Sequence, residues 1–334
     1  MLWPAMNDAH LQFHYPARLS GSAASRVLAR ARKGTVAAVF KSAFYLETDA
    51  GWLCIGGAAL APSSLNLVMN APAGVDWSAS GVQRDAAVRL SENVIRIGNR
   101  FSFDVSDVTE WFPDPLPEEW DVIDLERGLQ TLRELAIHRI PEQGLGRFVI
   151  PDVEAAGEGT LVRAAQLPIA EARRWLTSAV GGIATNLSDS AWIDRLVGLG
   201  PGLTPSGDDF VAGMMIALHA LGETEVCRRL WAQSQPYVEA ATNPISYAHL
   251  HAASHGEGSE ATHRILNAIV AGSPFAIREH LNGIDRIGHS SGWDGLAGLV
   301  LVLDGWLRAR GLIDNQKSAP GMIGRHQYRF AQSL

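Results

Sequence analysis

Cysteine is nearly absent from this chain of 334 residues: Cys54 and Cys227 are its two members. So few thiols exclude a disulfide framework and a cysteine zinc site, and they fit a reducing cytoplasm. Lysine is almost as scarce, 3 residues against 25 arginines. A GC-rich genome would produce that skew, and arginine would also suit the fixed recognition of planar anions. Positive charge is in deficit overall, with a formal net charge of −7, which argues against a nucleic-acid partner, because phosphate-tracking surfaces concentrate Lys and Arg. Long hydrophobic runs are missing too. The longest, Phe210 to Leu221 and Leu296 to Leu307, fall short of the roughly 20 residues that span a bilayer. Met1 to His10 shows no basic stretch followed by an apolar one, so neither a membrane partner nor a secretory signal is expected.

What is present is core-forming material. Hydrophobic residues make up 47% of the chain, enough for a large core and a length that favours two domains. From Thr35 to about Phe112 short runs rich in β-branched and aromatic residues alternate with turn residues. Strands are predicted at Thr35–Phe40, Phe44–Thr48, Trp52–Ile55, Leu65–Met69 and Val94–Ile97. Three prolines in Trp111–Pro117 then interrupt the pattern. Beyond them the period becomes helical: Trp120–His138, Pro168–Val180, a run after Ser206, Glu223–Gln233, Val238–His251, Glu260–Ala271, Phe275–Asn282 and a run after Ser291. The expectation is an α+β protein: a β-rich domain over 1–117, a small barrel or sandwich, then a mainly helical domain over 118–314 and an irregular tail over 315–334. A Gly-Glu-Gly turn at 157–159 would join two short strands.

The densest turn chemistry lies at 200–209, Gly-Pro-Gly-Leu-Thr-Pro-Ser-Gly-Asp-Asp, just before an unbroken apolar helix pattern. As a helix start this predicts Ser206 as N-cap, with Asp209 returning a bond. Capping leaves Thr204, Asp208 and the glycines Gly200, Gly202 and Gly207 unused, and glycines at a helix N-terminus let backbone amides approach an anion. No Gly-Lys-Ser/Thr and no Gly-x-Gly-x-x-Gly is present, which disfavours common nucleotide sites. The adjacent carboxylates Asp208 and Asp209 would repel a bare anion unless Mg²⁺ lay between them or they bonded amide NH₂ groups. Both options stand at this level.

The spacing recurs. Ser206-Gly-Asp-Asp209-Phe-Val-Ala-Gly213 and Ser291-Gly-Trp-Asp294-Gly-Leu-Ala-Gly298 share Ser-Gly-x-Asp-x-apolar-Ala-Gly. The small residues would allow close helix packing. If the two helices are parallel, both N-termini open on one face; if antiparallel, a shared pocket is impossible. The second junction adds Ser290 and His289, the latter either a general acid or base or a turn residue bonded to backbone. A third polar segment, Thr242-Asn243-Pro-Ile-Ser246, precedes His249, His251 and His255. His251 and His255 have metal-ligand spacing, but without a His-Glu-x-x-His pattern a helix face is the better reading.

Gly198–Phe210, Thr242–Ser246 and Gly288–Asp294 together resemble the signature segments of the AllH-like family, associated with one subunit of oxamate carbamoyltransferase. The resemblance implies conversion of oxalurate and phosphate to oxamate and carbamoyl phosphate, in a complex with two other subunits, one of them similar to acyl-CoA synthetases. Read from the loop chemistry itself, Asp208, Asp209 and His289 are the catalytic candidates. Gly200, Gly202, Thr204, Ser206, Gly207, Thr242, Asn243, Ser246, Ser290, Ser291 and Asp294 are the substrate-binding candidates, with Asp208 and Asp209 as the Mg²⁺ candidates. A non-catalytic scaffold subunit and a standalone metal-assisted hydrolase or phosphotransferase are the competing readings.

Overall fold

A computed structural model describes residues 13–151, 159–183 and 191–311. The chain divides into two compact units, Met1–Pro113 and Asp114–Leu334. The first is a β-barrel. Its strands are β1 (Phe13–Gly21), β2 (Lys33–Val39), β3 (Ala43–Thr48), β4 (Gly51–Gly56), β5 (Asn66–Met69), β6 (Ala87–Leu90), β7 (Val94–Ile97), β8 (Phe101–Asp104) and β9 (Thr109–Trp111). The order β5-β4-β3-β2-β6-β7-β8-β1 closes on itself because β1 also pairs with β5, antiparallel, while β9 runs beside the second half of β1. Register shifts at Ala17/Leu19 and Val36/Ala38 add the local twist that a closed sheet requires.

Closure selects the barrel over a sandwich. Phe44, Leu46, Leu53, Ile55, Leu67, Ile95 and Phe103 fill the interior. A short helix, α2 (Trp77–Ser80), inserts Trp77 among them, with its ring centroid 5.1 Å from that of Phe44. Asp76 starts α2 by accepting the amides of Ser78 and Ala79. Five further elements are not among the predicted ones: β1, the helix α1 (Ser22–Arg30) and the short strands β6, β8 and β9.

The second unit is helical: α3 (Val122–Ala136), a 3₁₀ turn at Gly146–Val149, α4 (Thr160–Val180), α5 (Ala191–Leu196), α6 (Ser206–Ala220), α7 (Thr224–Ala241), α8 (Pro244–Ser254), α9 (Glu260–Val270), α10 (Pro274–Ile284) and α11 (Ser291–Ala309). Helices α6 and α11 form its centre. Both are apolar on nearly every face, as helices surrounded by protein must be. Around them pack α4, α7, α8, α9 and α10, and each fully buried Leu or Ile contributes about 1.5–3 kcal/mol.

Two predicted boundaries are corrected. No strand follows Gly159: α4 begins at Thr160 and continues through Pro168. Helix α7 does not break near Pro236 but runs to Ala241. In each case proline removes one amide donor, yet burial of Ala165, Ile169 and Ala172 in α4, and of Ser234 and Val238 in α7, keeps the helix intact. The tail from residue 315, and residues 157 and 158 of the predicted turn, lie outside the described residues. No helix of the described residues is long and apolar enough to cross a membrane.

Candidate functional site

The two related junctions meet. Ser206 at the start of α6 donates to Asp294 of α11, and Ser291 at the start of α11 donates to Asp209 of α6. One turn on, Gly213 abuts the Gly295 carbonyl and Gly298 abuts the Phe210 carbonyl. Helices matched in that order run in the same direction, so their N-termini lie side by side. The shared spacing is thus a reciprocal pairing device, in which each helix supplies a hydroxyl to the carboxylate of the other.

This arrangement overturns the simple capping expectation. The N-cap position of α6 is Pro205, and Ser206 is already inside the helix. Its hydroxyl and the Asp209 carboxylate bond across to α11 instead of to each other. The first amides of both helices are mostly taken by backbone: Gly207 N–H donates to the Leu199 carbonyl (2.9 Å), Asp208 and Asp209 to Pro205, Gly292 to Ile287, and Trp293 and Asp294 to Ser290.

The three carboxylates have different surroundings. Asp208 is buried and accepts from the Gly198 amide at 2.7 Å, from Ser246 Oγ at 2.6 Å and from Thr242 Oγ1. It thereby ties the 198–205 loop to α8. Asn243 reinforces the tie, capping α8 through the Ile245 and Ser246 amides while its Nδ2 donates to the Leu203 carbonyl at 2.7 Å. Asp294 is sealed: it accepts from Ser206, from Ser290 Oγ at 2.9 Å and from the amides of Leu145 and Gly146, and burial still raises its pKa. Asp209 takes its bonds from hydroxyls, Ser291 and Thr204 Oγ1 (3.0 Å), with Thr204 and Ser291 3.2 Å apart.

Asp209, Thr204 and Ser291 each keep some exposed surface. Asp209 is nonetheless packed by enough protein that desolvation lifts its pKa well above the ordinary carboxylate value, with the Asp294 and Asp208 charges adding to the shift. A proton therefore resides at Asp209 well above the pH at which a free carboxyl loses it. Gly200 and Gly202, at φ +110° and +112°, bend the loop over this point, and a Cβ on Gly200 would lie 3.0 Å from the Ser206 nitrogen.

The structure does not bring every predicted residue into the cluster. His289 is exposed on its turn, and none of the hydrogen bonds that knit the three carboxylates involves it. Asp208 and Asp209 turn to different partners, α8 and α11, so they do not form a joint cradle for Mg²⁺. Among the described residues no group of three His, Cys, Asp or Glu is arranged to hold a metal ion. His251 stacks on Tyr247, with rings 8° from parallel, and its carbonyl lies 2.9 Å from His255 Nδ1. The donors missed in the sequence are the amides of Leu145, Gly146 and Gly198. Their signal was legible: Gly-Leu-Gly occurs at 144–146 and again at 198–200.

Residues 196–303 match the family described as oxamate carbamoyltransferase subunit AllH. That stretch lies within the helical unit and is similar to the family over those residues alone. No curated protein and no solved structure matches the chain. The AllH-like stretch encloses both Ser-Gly-x-Asp junctions and the Thr242–Ser246 segment. The amide donors of Leu145 and Gly146 lie upstream of it.

Proposed function

We propose that this chain is a subunit of a carbamoyltransferase that interconverts oxalurate plus phosphate with oxamate plus carbamoyl phosphate, and that its ligand sits against Asp209, Thr204 and Ser291 at the paired helix starts. The observation that carries the reading is an inequality between two related carboxylates. Asp294 receives two backbone N–H donors from Leu145 and Gly146, whereas its counterpart Asp209 receives hydroxyls and keeps some exposed surface. A carbamoyl or ureido group offers the same kind of N–H donor to Asp209. The parallel N-termini favour the carboxylate or phosphate end of such a ligand, with the Ser206 and Ser291 amides and the loop at Gly200 and Gly202 closest to it, while Gly207, buried in α6 with its amide given to Leu199, stands behind them.

In the phosphorolytic direction a phosphate oxygen attacks the carbamoyl carbon, the carbon–nitrogen bond breaks, and the departing oxamate nitrogen takes up a proton. A protonated Asp209 supplies that proton in this scheme, acting as general acid. His289, at the rim, would return it from solvent. The family description and the match over 196–303 support the subunit role. The partner subunits, the acyl-CoA-synthetase-like one included, belong to this proposal, as does a cytoplasmic location.

A second reading, a non-catalytic scaffold subunit, is favoured by one specific observation: the carboxylates and most first-turn amides are already satisfied within the chain. Calorimetry separates the two. Carbamoyl phosphate and oxamate are titrated into the wild type and into Asp209→Ala, each checked for an unchanged fold by circular dichroism. Affinity at least tenfold weaker in the variant supports the ligand site. Equal affinities, or no binding to either, leave the scaffold reading.

A further inference from the structure

Away from the paired helix starts, a groove of about 430 Å³ runs between α3 and the last turns of α11, lined by Glu126, Leu129, Arg133, Glu134, Asp304 and Leu307, with Ile137 and Ile150 at its edge. Its floor is apolar and its walls are acidic: three carboxylates against one guanidinium. That guanidinium is committed, since Arg133 Nη2 contacts both Asp304 oxygens at 2.6 Å. Glu126 has no hydrogen bond or ion pair among the described residues, and burial alone raises its pKa. Ile137 is 60% exposed at the rim. A partly desolvated carboxylate beside an apolar floor suits a basic group with an apolar stem laid over it.

The described part of α11 leads out at Gly311, four residues beyond Leu307 of the groove. The sequence that follows, 312–334, carries Lys317, Arg325 and Arg329 against one acid, Asp314, and its Arg-His-Gln-Tyr-Arg-Phe run at 325–330 places two guanidiniums beside Tyr328 and Phe330. Arg325 lies fourteen residue steps beyond Gly311, which allows a reach of up to about 46 Å. We propose that the groove is the docking surface for the chain's own basic segment Arg325–Phe330, with a guanidinium on Glu126 and an aromatic ring on the Leu129–Leu307 floor. The tether keeps the segment at high effective concentration. This inference is independent of the carbamoyltransferase reading.

Limited trypsin digestion of the full chain, followed by mass spectrometry, tests it. Cleavage after Arg325 and Arg329 is expected to be at least tenfold slower than in a synthetic peptide of residues 320–334. In the charge-reversed variant Glu126→Lys/Glu134→Lys, whose side chains are at the groove wall, cleavage should return to the peptide rate. Cleavage at the peptide rate in the wild type, or protection that persists in the variant, overturns the proposal. Protection that fades on dilution would assign the groove to a second copy's segment and overturns it equally.

Discussion

Gly213 of α6 rests on the Gly295 carbonyl of α11 so closely that a Cβ at Gly213 would fall 1.9 Å from that oxygen, and the related Gly298 stands the same 1.9 Å from the Phe210 carbonyl. Both contacts are with backbone, which cannot swing aside. Gly213→Ala or Gly298→Ala must therefore push the two central helices apart, at a cost of about 3 kcal/mol or more. Gly159→Ala, with nothing among the described residues within 4 Å of its Cβ and only the N-cap preference of α4 to lose, should cost no more than about 1 kcal/mol. Thermal melts of the three variants check this, and a Gly213→Ala melt equal to wild type contradicts the close parallel packing.

The reciprocal hydroxyl–carboxylate bonds make a second prediction. Ser206→Ala and Asp294→Asn touch one bond, so their effects should couple by about 1 kcal/mol in a double-mutant cycle. Ser206→Ala and Asp209→Asn belong to different bonds of the pair and should couple less. Denaturant unfolding of the single and double variants measures both. Equal coupling would mean that Ser206 does not choose between the carboxylates.

Much of this was legible in residue spacing. The α+β order, the approximate change of period after the Trp111–Pro117 segment and the relation between the two Ser-Gly-x-Asp junctions follow from local pattern. What was not legible depends on partners far apart in the chain. Ser206 and Asp209 have ideal spacing to cap one helix, and only tertiary contact with Ser291 and Asp294 redirects them. Pro168 and Pro236 read as helix breakers because the apolar faces that override them become buried only after folding. Strand β1 does alternate, Phe13, Tyr15, Ala17 and Leu19 against the exposed His14, Pro16 and Arg18, but its partners β5, β8 and β9 lie far along the chain, so its place in the barrel is not a local property.

Asp208 should behave as a structural residue. It gathers the Gly198 amide and the hydroxyls of Thr242 and Ser246 in a buried position, so Asp208→Ala strands three donors and should destabilise the fold by about 3 kcal/mol or more. Asp208→Asn keeps an acceptor oxygen and should recover part of that loss. Melts compare the two, and a stable Asp208→Ala protein with lost ligand affinity would instead move Asp208 into the ligand site.

Acid sensitivity is expected from His263. Its Nε2 is buried without a partner among the described residues, and burial lowers its pKa from 6.5 to about 4. The unfolded chain then binds more protons than the folded one between those values, so stability falls as pH drops from about 6.5 toward 4. The difference of 2.5 units corresponds to about 3 kcal/mol. His263→Leu should reduce this limb of the stability profile by about half, the remainder belonging to His249, whose buried imidazole is likewise lowered to about 4, while leaving stability at pH 8 little changed. An unchanged limb in the variant would assign the acid sensitivity elsewhere.

Asp209 has the opposite sign. Desolvation, with Asp294 and Asp208 nearby, raises its folded pKa well above 3.8, so the folded state holds a proton there that the unfolded chain releases. Its contribution is greatest below the unfolded value and is lost as pH rises through the folded one. Asp209→Asn imitates the protonated carboxyl. It should match wild type below the unfolded value, gain on it progressively as pH rises from there, and hold a constant lead above the folded pKa, so the pH at which the gap levels off reports that pKa. If the general-acid assignment is right, the same variant binds carbamoyl phosphate with nearly wild-type affinity but slows turnover at every pH, because an amide cannot release the proton. Wild-type turnover in Asp209→Asn would remove Asp209 from the chemistry and leave it to the pairing of the helices.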